Sequence, residues 1–133
     1  MLSLVLASCT TAGPAPVLFS GKLALRHAVA LAQLGPRPPG SAEHERAERY
    51  IATHLERLGL KPEVDTFTVS TPVGPRPMKN LVARLPGRTD RAVLVAGHYD
   101  TKLEPRFRFV GANDGGSSAG LLLELARVLK NSL

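Results

Sequence analysis

At 133 residues the chain has room for one domain or part of one, and 44% hydrophobic residues with a mean hydropathy of +0.01 describe an ordinary globular sequence. The net charge of +6 (17 Lys+Arg, 11 Asp+Glu) is scattered through loops and helix flanks, and aromatics are only 5%. These features exclude a basic nucleic-acid footprint and a base-stacking platform, and the single cysteine excludes a disulfide framework and a cysteine-rich zinc module.

The N-terminus carries "LASC", Leu6 to Cys9, an apolar residue and two small residues before a cysteine. It resembles the lipobox of bacterial lipoproteins, which implies export and a lipid on Cys9 anchoring the chain in the cell envelope, with "TTAGPAP" as a tether. The apolar stretch is shorter than the usual signal of about 15–30 residues and lacks a positive flank. If it is not a signal, the location is cytoplasmic. Residues 1–19 are set apart as this signal or lipobox-like segment and tether. No later segment approaches the roughly 18 apolar residues of a membrane span.

"FSGKLALRHAVALAQLG" reads as a helix with Leu23, Val29 or Ala30, and Leu34 near helical spacing and Gly35 as its stop. His27 within it reads as a surface or partly packed histidine. "PRPPGS" is a stiff connector. Ser41 then caps a second helix whose stripe is Ala47, Ile51, Leu55 and Leu58, ending at Gly59. "HERAE" begins like a zinc-protease helix, but Glu48 stands where the second histidine belongs. His44, Glu45, Glu48, Arg49 and His54 are therefore expected on a solvated surface.

From Glu63 the period changes to two. "EVDTFTVS" alternates as a half-exposed strand, "TPVGPRP" is a turn, Lys79 to Leu85 a second strand, and "PGRTDR" another turn. Ala92 to His98 is a third strand, apolar at nearly every position and so expected to be buried in mid-sheet. A loop from Lys102 to Val110 leads to "GSSAGLLLELARVLKNSL", a helix whose Leu121, Leu122, Leu125, Val128 and Leu129 call for a sheet to cover. This α-α-β-β-β-loop-α order is that of the first half of an open α/β sheet.

Sites in such sheets form at the carboxyl ends of strands, where His98 stands. Strand alternation points His98 and Asp100 the same way, so the carboxylate can fix the imidazole tautomer and free the other nitrogen for a metal. A His–Asp pair that merely satisfies itself is the structural alternative. Asp114, in the glycine-rich turn "GANDGGSSAG", can be aimed at the same crevice, or Asp114 or Ser117 can simply cap the next helix.

"GHYDT" followed by "GANDGGSSAGLLLELARVL" resembles the zinc-dependent aminopeptidase and glutaminyl cyclase family. "GPRPPGS", "VDTFTVSTPVGPRPMKNLVARL" and "HYDTK…FVGAND", in that order, resemble its cyclase branch over roughly residues 20 to 131. The resemblance implies a three-layer α/β/α zinc-exopeptidase-like fold with a mixed sheet. It further implies that residues 20–133 are the N-terminal part of the catalytic domain, truncated after the helix following the third strand. It also implies one or two zinc ions, His98 and Asp114 as metal ligands with Asp114 the safer of the two, Asp100 orienting His98, and a cis peptide after Asp114. The substrates implied are peptide or protein N-termini, by hydrolysis or by cyclisation of N-terminal glutamine.

After Asp114 the family's catalytic glutamate, adjacent acidic ligand and later histidine have no counterpart: only Glu124 follows, in the helix, and no histidine. A zinc site takes three or four protein ligands. No catalytic residue is assigned, and residues 1–133 by themselves are expected to be inactive. The alternative is a non-catalytic, surface-anchored remnant or binding module.

Overall fold

The computed structural model describes residues 17–87 and 89–132; the lipobox-like stretch and the lipidation expected at Cys9 lie outside the described residues. Among the described residues three helices and two strands follow in the order α1 (Gly21–Leu34), α2 (Ala42–Arg57), β1 (Glu63–Thr71), β2 (Gly74–Val82) and α3 (Gly116–Lys130). Among the described residues no helix is long and apolar enough to cross a membrane.

The first two helices start where a side-chain oxygen can take an orphan amide. Ser20 accepts from the Leu23 N–H at 3.3 Å and Ser41 from the His44 N–H at 3.1 Å. Of the expected α2 stripe, Ala47, Ile51 and Leu55 are buried, and Leu58 is partly buried against the same core. Ile51 and Leu55 form one apolar cluster with Leu60, Leu123 and Ala126, while Ala47 joins Leu31 and Ala119 in a second; Tyr50 and Tyr99 pack against both.

Helix α3 lies close against α1. A Cβ added at Gly120 would fall 2.5 Å from the Ala24 carbonyl oxygen and 3.0 Å from the Ala28 nitrogen, so only glycine permits the contact. This approach corrects the expected stripe on α3. Its buried face is Ala119, Gly120, Leu123, Glu124 and Ala126, whereas Leu121 and Leu129 remain 46% and 40% exposed. Close packing on α1 selects small residues at Ala119 and Gly120, Leu123 joins the core, and Leu121 and Leu129 are left on the other side.

β1 and β2 pair antiparallel from Glu63↔Val82 to Thr71↔Gly74, around a turn at Pro72 and Val73. The second strand thus begins at Gly74, ahead of the expected Lys79, and takes in Pro75 and Pro77. Proline is tolerated on a sheet edge, where the missing N–H has no ladder partner to lose. The third strand is a larger correction. Residues 91–100 have no regular secondary structure, and Val93, Leu94 and Val95 are 91%, 85% and 51% exposed instead of buried. A strand exists through its ladder partners, and among the described residues the sheet contains only β1 and β2.

Candidate functional site

The segment after Gly97 and the turn before α3 bring three ionisable side chains to one place. His98 Nδ1 lies 3.2 Å from Asp100 Oδ1, and His98 Nε2 lies 3.0 Å from Asp114 Oδ1. Carboxylates from two segments therefore stand beside the two ring nitrogens, Asp100 within hydrogen-bonding geometry of Nδ1 and Asp114 close to Nε2. The Asp100 side chain is 27% exposed, whereas His98 and Asp114 are 54% and 58% exposed and accessible from solvent. Tyr99 points the other way into the core, its hydroxyl donating to the Lys79 carbonyl at 3.0 Å.

The capping alternative for Asp114 does not hold. Gly115 is the N-cap of α3 and no side chain caps the helix, which leaves the Asp114 carboxylate to the histidine. Ser117 donates to the Asn113 carbonyl at 2.6 Å, and Ser118 donates to the carbonyls of His98 at 2.9 Å and Gly115 at 3.1 Å. The expected cis peptide is also corrected: among the described residues every peptide is trans, including Asp114–Gly115. The turn into α3 is made instead by Gly115 at φ +86°, where a Cβ would lie 2.7 Å from the Asp100 carbonyl oxygen and 3.1 Å from the His98 ring.

Beneath this pair lies a residue that the sequence reading passed over inside "GPRPPGS". Arg37 is fully buried. Its guanidinium donates to the carbonyls of Tyr99 (2.6 Å), Val110 (2.5 Å), Gly111 (3.0 Å), Leu31 (3.3 Å) and Gly35 (3.4 Å). Its backbone N–H donates to Thr101 Oγ1 at 2.9 Å, and its carbonyl accepts from the Thr101 N–H at 3.2 Å. Burial pushes its pKa down, partly offset by the charges of Asp100 and Asp114.

Of the five α2 residues expected on a solvated surface, His44 is buried and Glu48 nearly so. Glu45 and Arg49 are exposed as expected, but His44 is 4% exposed and the Glu48 side chain 12%. His44 stacks on Tyr99 with centroids 5.0 Å apart and lies 3.1 Å from Glu48, which pairs with Lys79 at 2.7 Å. Burial lowers the His44 pKa and raises that of Tyr99. The signal was available: positions 44, 47, 48, 51 and 55 share one helix face. His54 is half-buried, its ring against Tyr50 and His27, and His27 is partly packed as expected. Glu124 is buried and structural, pairing with Arg127 at 2.6 Å and accepting the Ser20 N–H at 2.7 Å.

The model of peptidase family M28 matches residues 80–133, the stretch that holds His98, Asp100 and Asp114. A glutaminyl-peptide cyclotransferase-like protein of Bos taurus is 42% identical over 101 residues, covering 73% of this chain and 26% of the relative. The crystal structure of an Acidobacteriales bacterium glutaminyl cyclase superposes with a TM-score of 0.80 at 36% identity, over 95% of this chain and 44% of that one. The chain belongs to the zinc-dependent aminopeptidase and glutaminyl cyclase family. A Zn-dependent exopeptidase from Parabacteroides distasonis gives a TM-score of 0.75 at 28% identity, over 85% of this chain and 42% of that one, so the zinc-exopeptidase-like α/β fold extends across both branches. The chain spans about a quarter of the Bos taurus relative and less than half of each solved neighbour.

Zinc is the metal named for one family neighbour, and the donor types here suit it. Two ligands at about 2.0–2.1 Å on a tetrahedral ion stand about 3.3 Å apart. The 3.0 Å between His98 Nε2 and Asp114 Oδ1 is near that value. The set fits in kind and spacing but is short in number: among the described residues no group of three or more His, Cys, Asp and Glu could hold a metal ion.

Proposed function

We propose that this chain contributes the His98–Asp114 part of a zinc centre in an enzyme acting at peptide N-termini, and that residues 1–133 alone are not catalytic. The observation that carries the reading is the 3.0 Å approach of Asp114 to the His98 nitrogen opposite the one bonded to Asp100. His98 presents Nε2, Asp100 holds the ring and its tautomer from Nδ1, and Asp114 presents its carboxylate from the turn before α3. Bound there, zinc supplies Lewis acidity toward a substrate carbonyl.

Between the two reactions, cyclisation of N-terminal glutamine is favoured over hydrolysis by the names of the Bos taurus and Acidobacteriales relatives. The proposed inactivity rests on ligand count and on the lack of a placed proton acceptor, since the one carboxylate after Asp114, that of Glu124, is tied to Arg127 and Ser20. Incubation of the purified chain with zinc and either a glutaminyl peptide or an aminoacyl anilide is expected to give no turnover. Zinc-dependent turnover of either substrate overturns the inactivity.

A non-catalytic binding module is the second reading, favoured by the presence of only two donor groups at the site among the described residues. Zinc-independent retention of peptides with free N-termini would support it over the enzyme reading. Export and lipid anchoring through Cys9, with residues 1–19 as leader and tether and 20–133 as part of the catalytic domain, complete the proposal. An unmodified Cys9 in the intact mass of the cell-derived protein contradicts the anchoring.

A further inference from the structure

Arg37 is the most deeply buried charge near the site, and its acceptors are all neutral carbonyls. A guanidinium placed there must have several acceptors in its own plane, because a buried cation with unmet donors is strongly destabilising. The acceptors come from three separate places: the end of α1 (Leu31, Gly35), the peptide between His98 and Asp100 (Tyr99), and the peptides leading to Asp114 (Val110, Gly111). The last two segments carry the metal-binding side chains, and neither is held by a sheet ladder. The two segments also meet through the Ser118 bond to the His98 carbonyl, the close approach at Gly115, the Lys102 ammonium over the Phe109 ring and the His98–Asp114 pair itself, but Arg37 is the buried side chain that hydrogen-bonds to the backbone of both. The fields of Asp100 and Asp114 reach it and partly offset its burial.

We propose that Arg37 is a positioning residue for the metal-binding pair: by clamping the carbonyls of Tyr99, Val110 and Gly111 it sets the separation of His98 Nε2 and Asp114 Oδ1. The inference rests on reading that pair as metal-binding, but its geometric content stands without a metal. Lysine cannot replace the clamp, since a single ammonium acts as a point charge with three donors and cannot span carbonyls arranged around a planar fork.

The test compares the full 133-residue chain with Arg37→Lys and with Leu55→Ala, a core truncation on α2 that loosens the cluster on which Tyr99 packs but removes none of the hydrogen bonds that Arg37 makes to either segment. The first readout is the pair of His98 ring nitrogen resonances in the metal-free protein, and the second is zinc affinity by calorimetry below the melting transition. Arg37→Lys is expected to shift the His98 nitrogens and to weaken zinc binding about tenfold, the range of other residues that orient ligands. Leu55→Ala is expected to lower the melting temperature and move neither readout.

Arg37→Lys leaving the His98 resonances as Leu55→Ala does overturns the proposal. If the parent chain binds no zinc while Arg37→Lys still displaces the His98 signals, the zinc reading fails and the positioning role survives. Should Arg37→Lys not fold, Thr101→Val removes only the hydroxyl that accepts from the Arg37 backbone. It is expected to shift the same resonances in the same direction, and unchanged resonances there overturn the proposal.

Discussion

Asp100 touches His98 directly and faces the field of the buried Arg37, so removing its carboxylate acts on the ring itself. Asp100→Ala is expected to weaken zinc binding by about 10–100-fold through loss of the Nδ1 partner. Competition against a zinc-sensitive dye measures this, and an unchanged affinity would show that His98 needs no orienting group. His44 sets a pH limit on the other side of Tyr99. Burial lowers its pKa from the ordinary 6.5, so the folded state binds the proton less readily than the unfolded one. Its contribution to stability is complete above about pH 6.5 and declines as the pH falls below that value toward the depressed folded pKa. The melting temperature should therefore drop on acidification from about pH 7 to about pH 5, and the drop should be smaller in His44→Phe, which keeps an aromatic against Tyr99 without a titrating group. An identical pH profile in that variant would assign the loss to other groups, His27 first, whose pKa is also lowered by burial.

Two helix features carry separable amounts of stability. Ser41→Ala removes the acceptor of the His44 N–H and should cost about 0.5–2 kcal/mol by denaturant unfolding. Gly120→Ala is the sharper case. Helix propensity alone predicts a gain of about 1 kcal/mol, but the added methyl would lie 2.5 Å from the Ala24 carbonyl oxygen and force α1 and α3 apart. Overpacking of that kind costs about 1–3 kcal/mol, so a net loss is expected, and a stabilised Gly120→Ala would mean that the two helices can separate freely. The helices were legible because caps and spacing are local: Ser41, Gly35 and Gly59 fall at the ends of α1 and α2, and Ala47, Ile51 and Leu55 repeat at helical intervals. The strands were less so. Pro75 and Pro77 disguise the start of β2 as a turn, and Ala92 to His98 has strand composition without ladder partners among the described residues.

Across the whole molecule the same distinction between local and distant information holds. His98, Asp100 and Asp114 were recognisable because each stands in a short motif, and the structure brings them together. Arg37 was not, because Tyr99, Val110 and Gly111 lie 62, 73 and 74 residues away in sequence and offer only carbonyls, which every residue has. His44 and Glu48 were misplaced because a charged pair was weighed above the apolar phase of its own helix. The exposed Val93, Leu94 and Val95 form an apolar strip without ladder bonds, a surface that invites association. The chain is expected to self-associate with concentration in sedimentation velocity, and Leu94→Lys should reduce this. A parent chain that stays monomeric would show that the strip is protected. The central claim, that His98 and Asp114 together bind zinc, is tested most directly by calorimetric zinc titration of the parent chain, His98→Ala and Asp114→Ala. Binding by the parent and loss of at least about tenfold in each variant is the predicted result; zinc binding that is absent from the parent, or unchanged in both variants, would contradict it.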